Sequence, residues 1–416
     1  MPSVIFRKGL DLKLAVAPAL ADDYDSAIVK EMMSHGFQRS RGRLTVSLAK
    51  EFGFCYGVDR AVDYAYQTRM RFPKRTVYLT GEIIHNPHVN DKLRAAGIRF
   101  LSDPHEPREP LGPEAVIIIP AFGVTVGELA KYDQLGCTLI DTTCGSVLNV
   151  WKNVERYAVD GFTALIHGKV HHEETQATAS QALKYPNGRF LVVLDRDQTQ
   201  LVCDYVRSGG DRQIFLDEFK HATSEGFDPD QHLERIGLAN QTTMLMSESL
   251  EIGEMCRQAM VDRYGEVDLD VHYRAFDTIC SATEDRQDAV QNLVESEQLD
   301  LMLVVGGYNS SNTRNLARIC TVKLPTYHIA DAESLASSAE IHHRLVSGPL
   351  SNLSQSRNKQ EVATEDWLPA TGEVSIGLTA GASTPNNIIG QVVLRLEQLT
   401  RDQISIRANR TTTGSP

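Results

Sequence analysis

What most constrains the fold of this chain is the alternation of short apolar runs with amphipathic segments along nearly its whole length. Runs such as "TVYLTGEII", "AVIIIPAF", "CTLIDTT", "TALIHG", "FLVVLD", "LMLVVGG" and "VSIGLTAG" have the length and β-branched content of buried strands. Between them, "VLNVWKNVERYAVDG" and "SATEDRQDAVQNLVES" repeat apolar residues at helical spacing and place charge on the other faces. Alternation of this kind predicts an α/β fold with mainly parallel sheets, since parallel neighbours are joined through a crossover helix. One sheet rarely absorbs this many strands, so 416 residues are expected to form several α/β units. The stretch at 330–340 and the polar run "SNLSQSRNKQEVATEDW" read as surface connections. The first forty residues and the tail "ANRTTTGSP" are expected to be peripheral.

A net charge of -12 argues against a nucleic-acid surface and favours a small-molecule or protein partner. No apolar run approaches about 18 residues, so no membrane span is expected. The N-terminal stretch lacks an apolar signal region, and "ADDYDS" is too acidic for a transit peptide, so the expected compartment is the cytoplasm. The seven cysteines are scattered, odd in number and without a C-x-x-C pair. That pattern fits a reducing compartment and excludes both a disulfide framework and a local zinc knuckle. Cysteines that do chemistry here must come from distant parts of the chain.

Three of them share one kind of place. Cys144 in "IDTTCGSVLNVW" and Cys280 in "FDTICSATEDRQ" each follow Asp-Thr and one further residue, and each precedes a helical pattern. Cys55 in "LTVSLAKEFGFCYGVDRAVDYAYQTR" sits between a strand-like run and an amphipathic helix in a looser version of the frame. Ligands collect beside the carboxyl ends of strands in open α/β sheets, and a helix N-terminus favours the thiolate. Gly53 and Gly57 suit a backbone that approaches a bulky ligand. A buried cysteine is ordinarily an inert small hydrophobe, which is the reading for Cys137, Cys203, Cys256 and Cys320. Three converging thiolates suit iron and sulfide, and on a four-iron cube they leave one iron open.

Two later turns carry hydroxyls where anions bind. "LMLVVGGYNSSNTRNLARI" runs from a strand through Gly306 and Gly307 to Asn309, Ser310, Ser311 and Asn312 at a helix start. "VSIGLTAGASTPNNIIGQVV" repeats the design, with Ser383 shortly before Pro385. Hydroxyls and backbone N–H groups at such a terminus form a neutral phosphate cradle, while ordinary N-capping is the plainer use of the same residues. "GEIIHNPHVN" puts His85 after a strand, and "ALIHGKVHHEETQATAS" does the same for His167, His171, His172, Glu173 and Glu174. A histidine beside a glutamate there can bind an anion and deliver a proton. "NQTTM" adds the hydroxyls of Thr242 and Thr243, for which a turn is the plainer role.

Taken together, "GFCYGVDRAV", "EIIHNPHVN", "DTTC", "HGKVHHEET", "NQTT", "DTICSAT", "GGYNSSNTRNLA" and "LTAGAST" resemble the 4-hydroxy-3-methylbut-2-enyl diphosphate reductase family of the non-mevalonate isoprenoid pathway. The resemblance covers about residues 44–398 with the motifs in family order, and "PAFG" with "DYDSAIVKEMMSHG" resembles the longer branch of oxygenic phototrophs. It implies three α/β lobes with mainly parallel sheets arranged around a central [4Fe–4S] cluster. The implied division is an N-terminal extension over 1–43, lobes over 44–144, 145–279 and 280–398, and a tail over 399–416. Cys55, Cys144 and Cys280 carry over as the three ligands, with one iron left open. His85, His172, Ser310, Ser311, Asn312 and Ser383 carry over as the diphosphate-holding residues, Glu174 as the proton donor, and Thr242 as the hydroxyl beside it near the reacting carbon. Two positions depart from the commoner family pattern. Phe122 stands where many members have a histidine, and Gly145 where proline is usual.

The implied reaction is a two-electron reductive dehydroxylation that yields isopentenyl and dimethylallyl diphosphate, with ferredoxin or flavodoxin as electron donor. Neutral serines and amides suit a diphosphate folded back toward Glu174, because a fully cationic clamp would hold that acid ionised. From the residues alone, two other classes stay open: Cys/His zinc chemistry of a hydrolytic kind, and an iron–sulfur regulatory protein that has lost catalysis.

Overall fold

The structure, a computed structural model, describes residues 4–106, 109–276, 279–346 and 361–412, with side chains as far as 403. Asp277 and Thr278 of the last cysteine frame, and 351–360 of the polar run, lie outside the described residues. The chain divides into two compact units that do not follow its order. The first comprises Met1–Leu12, Arg60–Ile83 and Leu93–Cys280; the second comprises Lys13–Asp59, Ile84–Lys92 and Ser281–Pro416.

The first unit holds two parallel sheets. One has the order β1 (Ile5–Phe6), β7 (Thr138–Asp141), β6 (Val116–Ile119), β4 (Val77–Leu79), β5 (Ile98–Phe100). Its central strand reads Val-Ile-Ile-Ile and is buried on both faces, as a parallel strand covered by helices must be. The other has the order β11 (Tyr273–Ala275), β10 (Ile236–Asn240), β8 (Thr163–His167), β9 (Arg189–Val193). All of its pairings are parallel, with Ile236 opposite Thr163 and Thr163 opposite Arg189.

The second unit is one seven-stranded sheet. It runs β15 (Glu361–Glu365), β14 (Glu340–Arg344), β13 (Thr326–Ile329), β12 (Leu301–Val305), β16 (Val374–Ala380), β3 (Leu44–Leu48), β2 (Gln38–Arg41). The four central strands are parallel, and antiparallel strands close both edges. Its core joins Leu44, Val46 and Leu48 to Leu303, Ile376, Leu378 and the buried face of the helix Asn386–Thr412.

The architecture is thus α/β with mainly parallel sheets, and the strand-like runs named above all supply strands. Other segments differ from their sequence reading. The polar stretch near 361–365 pairs as an edge strand, its side chains alternately exposed and half-buried. The N-terminal stretch supplies β1, and a helix Ala27–Ser34 capped by Ser26 buries Val29 and Met32 in the core of the second unit. The final helix keeps Leu399 and Thr400 buried. Among the described residues, no helix is long and apolar enough to cross a membrane.

Candidate active site

In the first unit, Cys144 ends the segment after β7 and caps the helix Gly145–Val159 in extended backbone geometry. Asp141 Oδ1 accepts from the N–H and the hydroxyl of Thr143 at 3.1 and 2.6 Å, and Thr142 Oγ1 donates to the Ile119 carbonyl at 2.5 Å. The Asp-Thr-Thr run therefore builds the turn, an Asx-type arrangement, and the cysteine is what the turn presents. The N–H of Cys144 donates to the Ala121 carbonyl at 2.8 Å. A Cβ on Gly145 would meet nothing within 4 Å, so glycine at this first helical position answers to no packing demand.

His172 caps the next helix of interest, Glu173–Ala182, through its ring: Nδ1 accepts from the Glu174 N–H at 3.1 Å. That bond assigns the neutral ring's proton to Nε2, which makes Nε2 a donor. Phe122, the residue found in place of the more common histidine, packs edge-on against the same ring with centroids 6.0 Å apart. Phe122 is buried and steers the imidazole instead of adding a charge.

Glu174 is only 3% exposed, and its Oε1 accepts from the Thr242 backbone N–H at 2.5 Å. Thr242 follows β10, and its carbonyl in turn accepts from the Cys280 N–H at 3.5 Å. A carboxylate in the first helical turn is held by the terminal N–H groups and by the helix dipole. Gln241, fully buried, secures the loop: its Oε1 accepts from Lys169 N and Thr175 Oγ1 at 3.1 and 3.2 Å, and its Nε2 donates to Thr243 Oγ1 at 3.0 Å. His167, also singled out by sequence, is instead a core residue. It is fully buried, bonded to Ser249 Oγ at 2.9 Å, and pushed by burial down to about 4.

The second unit repeats the device with different residues. Cys55 precedes the helix Tyr56–Arg71, and its N–H donates to the Ala382 carbonyl at 3.2 Å. The Ala382 N–H donates to Asn312 Oδ1 at 2.9 Å. One residue's backbone thus ties a cysteine to a substrate-binding candidate, as Thr242 ties Cys280 to Glu174. Asn312 is 2% exposed, and its Nδ2 finds no hydrogen-bond partner. A buried amide donor left unsatisfied costs about 1–3 kcal/mol, which an acceptor on a ligand recovers.

Ser310 caps the helix Ser311–Thr321, accepting from the Thr313 N–H at 3.3 Å. Its capping role uses a lone pair and leaves the O–H proton to donate elsewhere. Ser311 is as deeply buried, and Ser383 Oγ donates to the His85 carbonyl at 3.3 Å. A Cβ on Gly307 would lie 2.4 Å from that same carbonyl oxygen, so this turn and the His85 backbone meet only because residue 307 has no side chain. Gly53 has φ +69, and a Cβ there would meet Asn386 Oδ1 at 2.9 Å, so its backbone conformation and its packing against the protein both require glycine.

The cysteines sort by environment. Cys137, Cys203, Cys256 and Cys320 are buried in apolar cores, where burial raises the Cys320 thiol to about 12. Cys55, Cys144 and Cys280 are partly exposed and stand at strand-to-helix junctions. Soft thiolate donors of that kind fit an iron–sulfur cluster. Sequence reasoning found these residues but missed Phe122's contact with His172 and the bridging backbones of Thr242 and Ala382, because such roles follow from no side-chain pattern.

The profile of the LytB protein family matches residues 46–397. The 4-hydroxy-3-methylbut-2-enyl diphosphate reductase of Gloeobacter violaceus is 46% identical over 401 residues, covering 95% of this chain and 92% of the relative. The enzyme of the same name from a Picosynechococcus species is 42% identical, covering 94% and 93%. Among solved structures, the (E)-4-hydroxy-3-methyl-but-2-enyl diphosphate reductase described as the terminal enzyme of the non-mevalonate pathway aligns with a TM-score of 0.50 at 27% identity, over 85% of this chain and 99% of that one. A Plasmodium falciparum reductase shares the fold at a TM-score of 0.55 and 21% identity, over 84% and 87%. With a family match over most of its length and relatives at 42–46% identity, the chain belongs to the LytB protein family.

Proposed function

We propose that this protein reduces (E)-4-hydroxy-3-methylbut-2-enyl diphosphate to isopentenyl and dimethylallyl diphosphate, the last step of the non-mevalonate pathway. Family membership and the names of its relatives support substrate and reaction. The C4–O bond breaks, two electrons and two protons are taken up, and the oxygen leaves as water. Cys55, Cys144 and Cys280 are the proposed ligands of a [4Fe–4S] cluster, a reading supported by their partial exposure and helix-terminal positions. When bound, such a cluster supplies electrons one at a time and one iron without a protein thiolate.

The chain's own residues bind, orient and protonate. Asn312 Nδ2, the Ser310 hydroxyl and His172 Nε2–H offer donors to the diphosphate, with Ser311, Ser383 and His85 completing the set. These donors are mostly neutral, so they hold an anion without forcing a nearby acid to stay ionised. Glu174 is the proton donor. Oε1 accepts from the Thr242 N–H, Oε2 is the proposed carrier of the proton, and the Thr242 hydroxyl is the proposed group that relays or orients it. This buried, backbone-held carboxyl in a first helical turn is the observation that carries the reading. Ferredoxin or flavodoxin is the proposed electron donor, and the cytoplasm the proposed compartment.

The decisive experiment is metal analysis of protein purified without oxygen. It should be brown, absorb near ~400 nm, and hold about four irons and four sulfides per chain. Serine at Cys55, Cys144 or Cys280 should remove most of that iron, and alanine at the other four cysteines should not. A colourless parent with stoichiometric zinc would overturn the assignment.

A further inference from the structure

Arg314 breaks two local rules at once. It lies in the first turn of the helix Ser311–Thr321, where the dipole disfavours a cation, and it is only 8% exposed. Buried guanidinium groups are normally paired with a carboxylate. Here Nε has no hydrogen-bond partner, and among the described residues no acid pairs with the side chain. Its charged neighbours are instead Arg344 and Arg318, which, after burial, push it down to about 10.

The position indicates what the charge faces. Helical side chains tilt toward the N-terminus, so Arg314 covers the turn ending at Ser310, one helical turn earlier. The rest of that turn has its carbonyls drawn to basic groups. Arg344 Nη1 donates to the Tyr308 carbonyl, and His328, held neutral by burial, approaches the Gly306 carbonyl through Nε2 at 3.1 Å. In a trans peptide the N–H points opposite the C=O. The N–H groups of Gly307 and Asn309 are therefore directed away from these basic groups, and on the reading that this turn binds the diphosphate they form its anion-facing side.

We propose that Arg314 is the positioning cation of the Gly306–Ser310 anion turn, its buried charge balanced by the substrate's diphosphate and not by a protein acid. The inference rests on the reading that this turn binds the diphosphate. Arg314 touches no reacting atom, and its contribution is to binding: the field is the same for substrate and transition state.

The test uses cluster-loaded enzyme with Arg314→Met and Arg314→Lys, read by inorganic pyrophosphate titration, steady-state kinetics and thermal melting. Met should weaken pyrophosphate binding and raise KM about tenfold while kcat stays within about twofold, since uniform binding moves KM alone. Its melting temperature without ligand should equal or exceed the parent's, because an unbalanced buried charge is gone. Lys should restore most of the affinity. Unchanged pyrophosphate affinity in the Met variant, or a lowered melting temperature with unchanged KM, overturns the role. A parent that binds no pyrophosphate and turns over no substrate refutes the underlying reading of the turn, and the inference with it.

Discussion

Replacing Glu174 by Gln separates the proton this carboxyl delivers from the hydrogen bond it makes. The amide keeps an oxygen where Oε1 now accepts from the Thr242 N–H at 2.5 Å, so the backbone of Thr242, and through its carbonyl the N–H of Cys280, stays anchored. What is lost structurally is the difference between a charge-assisted and a neutral hydrogen bond, about 1 kcal/mol. In a chain of 416 residues that lowers the melting temperature by only about 1 °C. What is lost chemically is the donor: general acids contribute about 10²–10⁴-fold, or roughly 3–5 kcal/mol of barrier. Alanine instead strands a buried backbone N–H at about 1–3 kcal/mol and leaves a void as well. Anaerobic turnover with a strong chemical reductant, alongside thermal melting, resolves the two effects. The Gln variant should lose at least ~10²-fold in kcat with KM nearly unchanged, and melt above the Ala variant. A Gln variant within about threefold of parental kcat would falsify the donor role, and equal melting of the two variants would refute the Thr242 anchor.

Two further outcomes follow from the same geometry. His172→Asn keeps an acceptor for the Glu174 N–H, since asparagine is a good N-cap, but removes the Nε2–H donor; KM should rise with melting unchanged, whereas His172→Ala should also cost about 1 kcal/mol in a denaturant titration. His167, with its pKa lowered to about 4, keeps its full contribution above the ordinary value of 6.5, and the contribution is lost as pH falls because the unfolded chain takes up a proton that the native state refuses. That amounts to about 2 kcal/mol at pH 5, so His167→Gln should flatten the pH dependence of stability between pH 7 and 5; a slope equal to the parent's would count against a neutral buried imidazole.

Much of this protein was legible in its sequence because the relevant signals are local. A buried parallel strand must be apolar throughout, so "VIII" and "LMLVV" declare themselves, and a cysteine or serine after such a run lands at a helix start. The Asp-Thr before Cys144 announced its turn for the same reason, as Asp141 bonds only two residues on. The antiparallel strands gave weaker signals: "EVATE" is an edge strand whose side chains alternate exposed and half-buried, and "EIHHR", paired on both sides, buries the polar His343 and Arg344.

Other features were decided only by tertiary structure. Gln38–Arg41 and Val374–Ala380 flank β3 although they lie at opposite ends of the chain, and neither compact unit is a single stretch of sequence. His167 and His172 look equivalent in "HGKVHHEET", yet one is sealed in the core as the last residue of β8 and the other caps a helix. Arg314 reads as an ordinary charge on an amphipathic helix until the fold buries it with its Nε unpartnered and, among the described residues, no acid beside it. The physical reason is common to all three. Periodicity reports which face of an element is apolar, but the protonation, pairing and strain of a polar group depend on what packs against it, and that is set by residues far away in sequence.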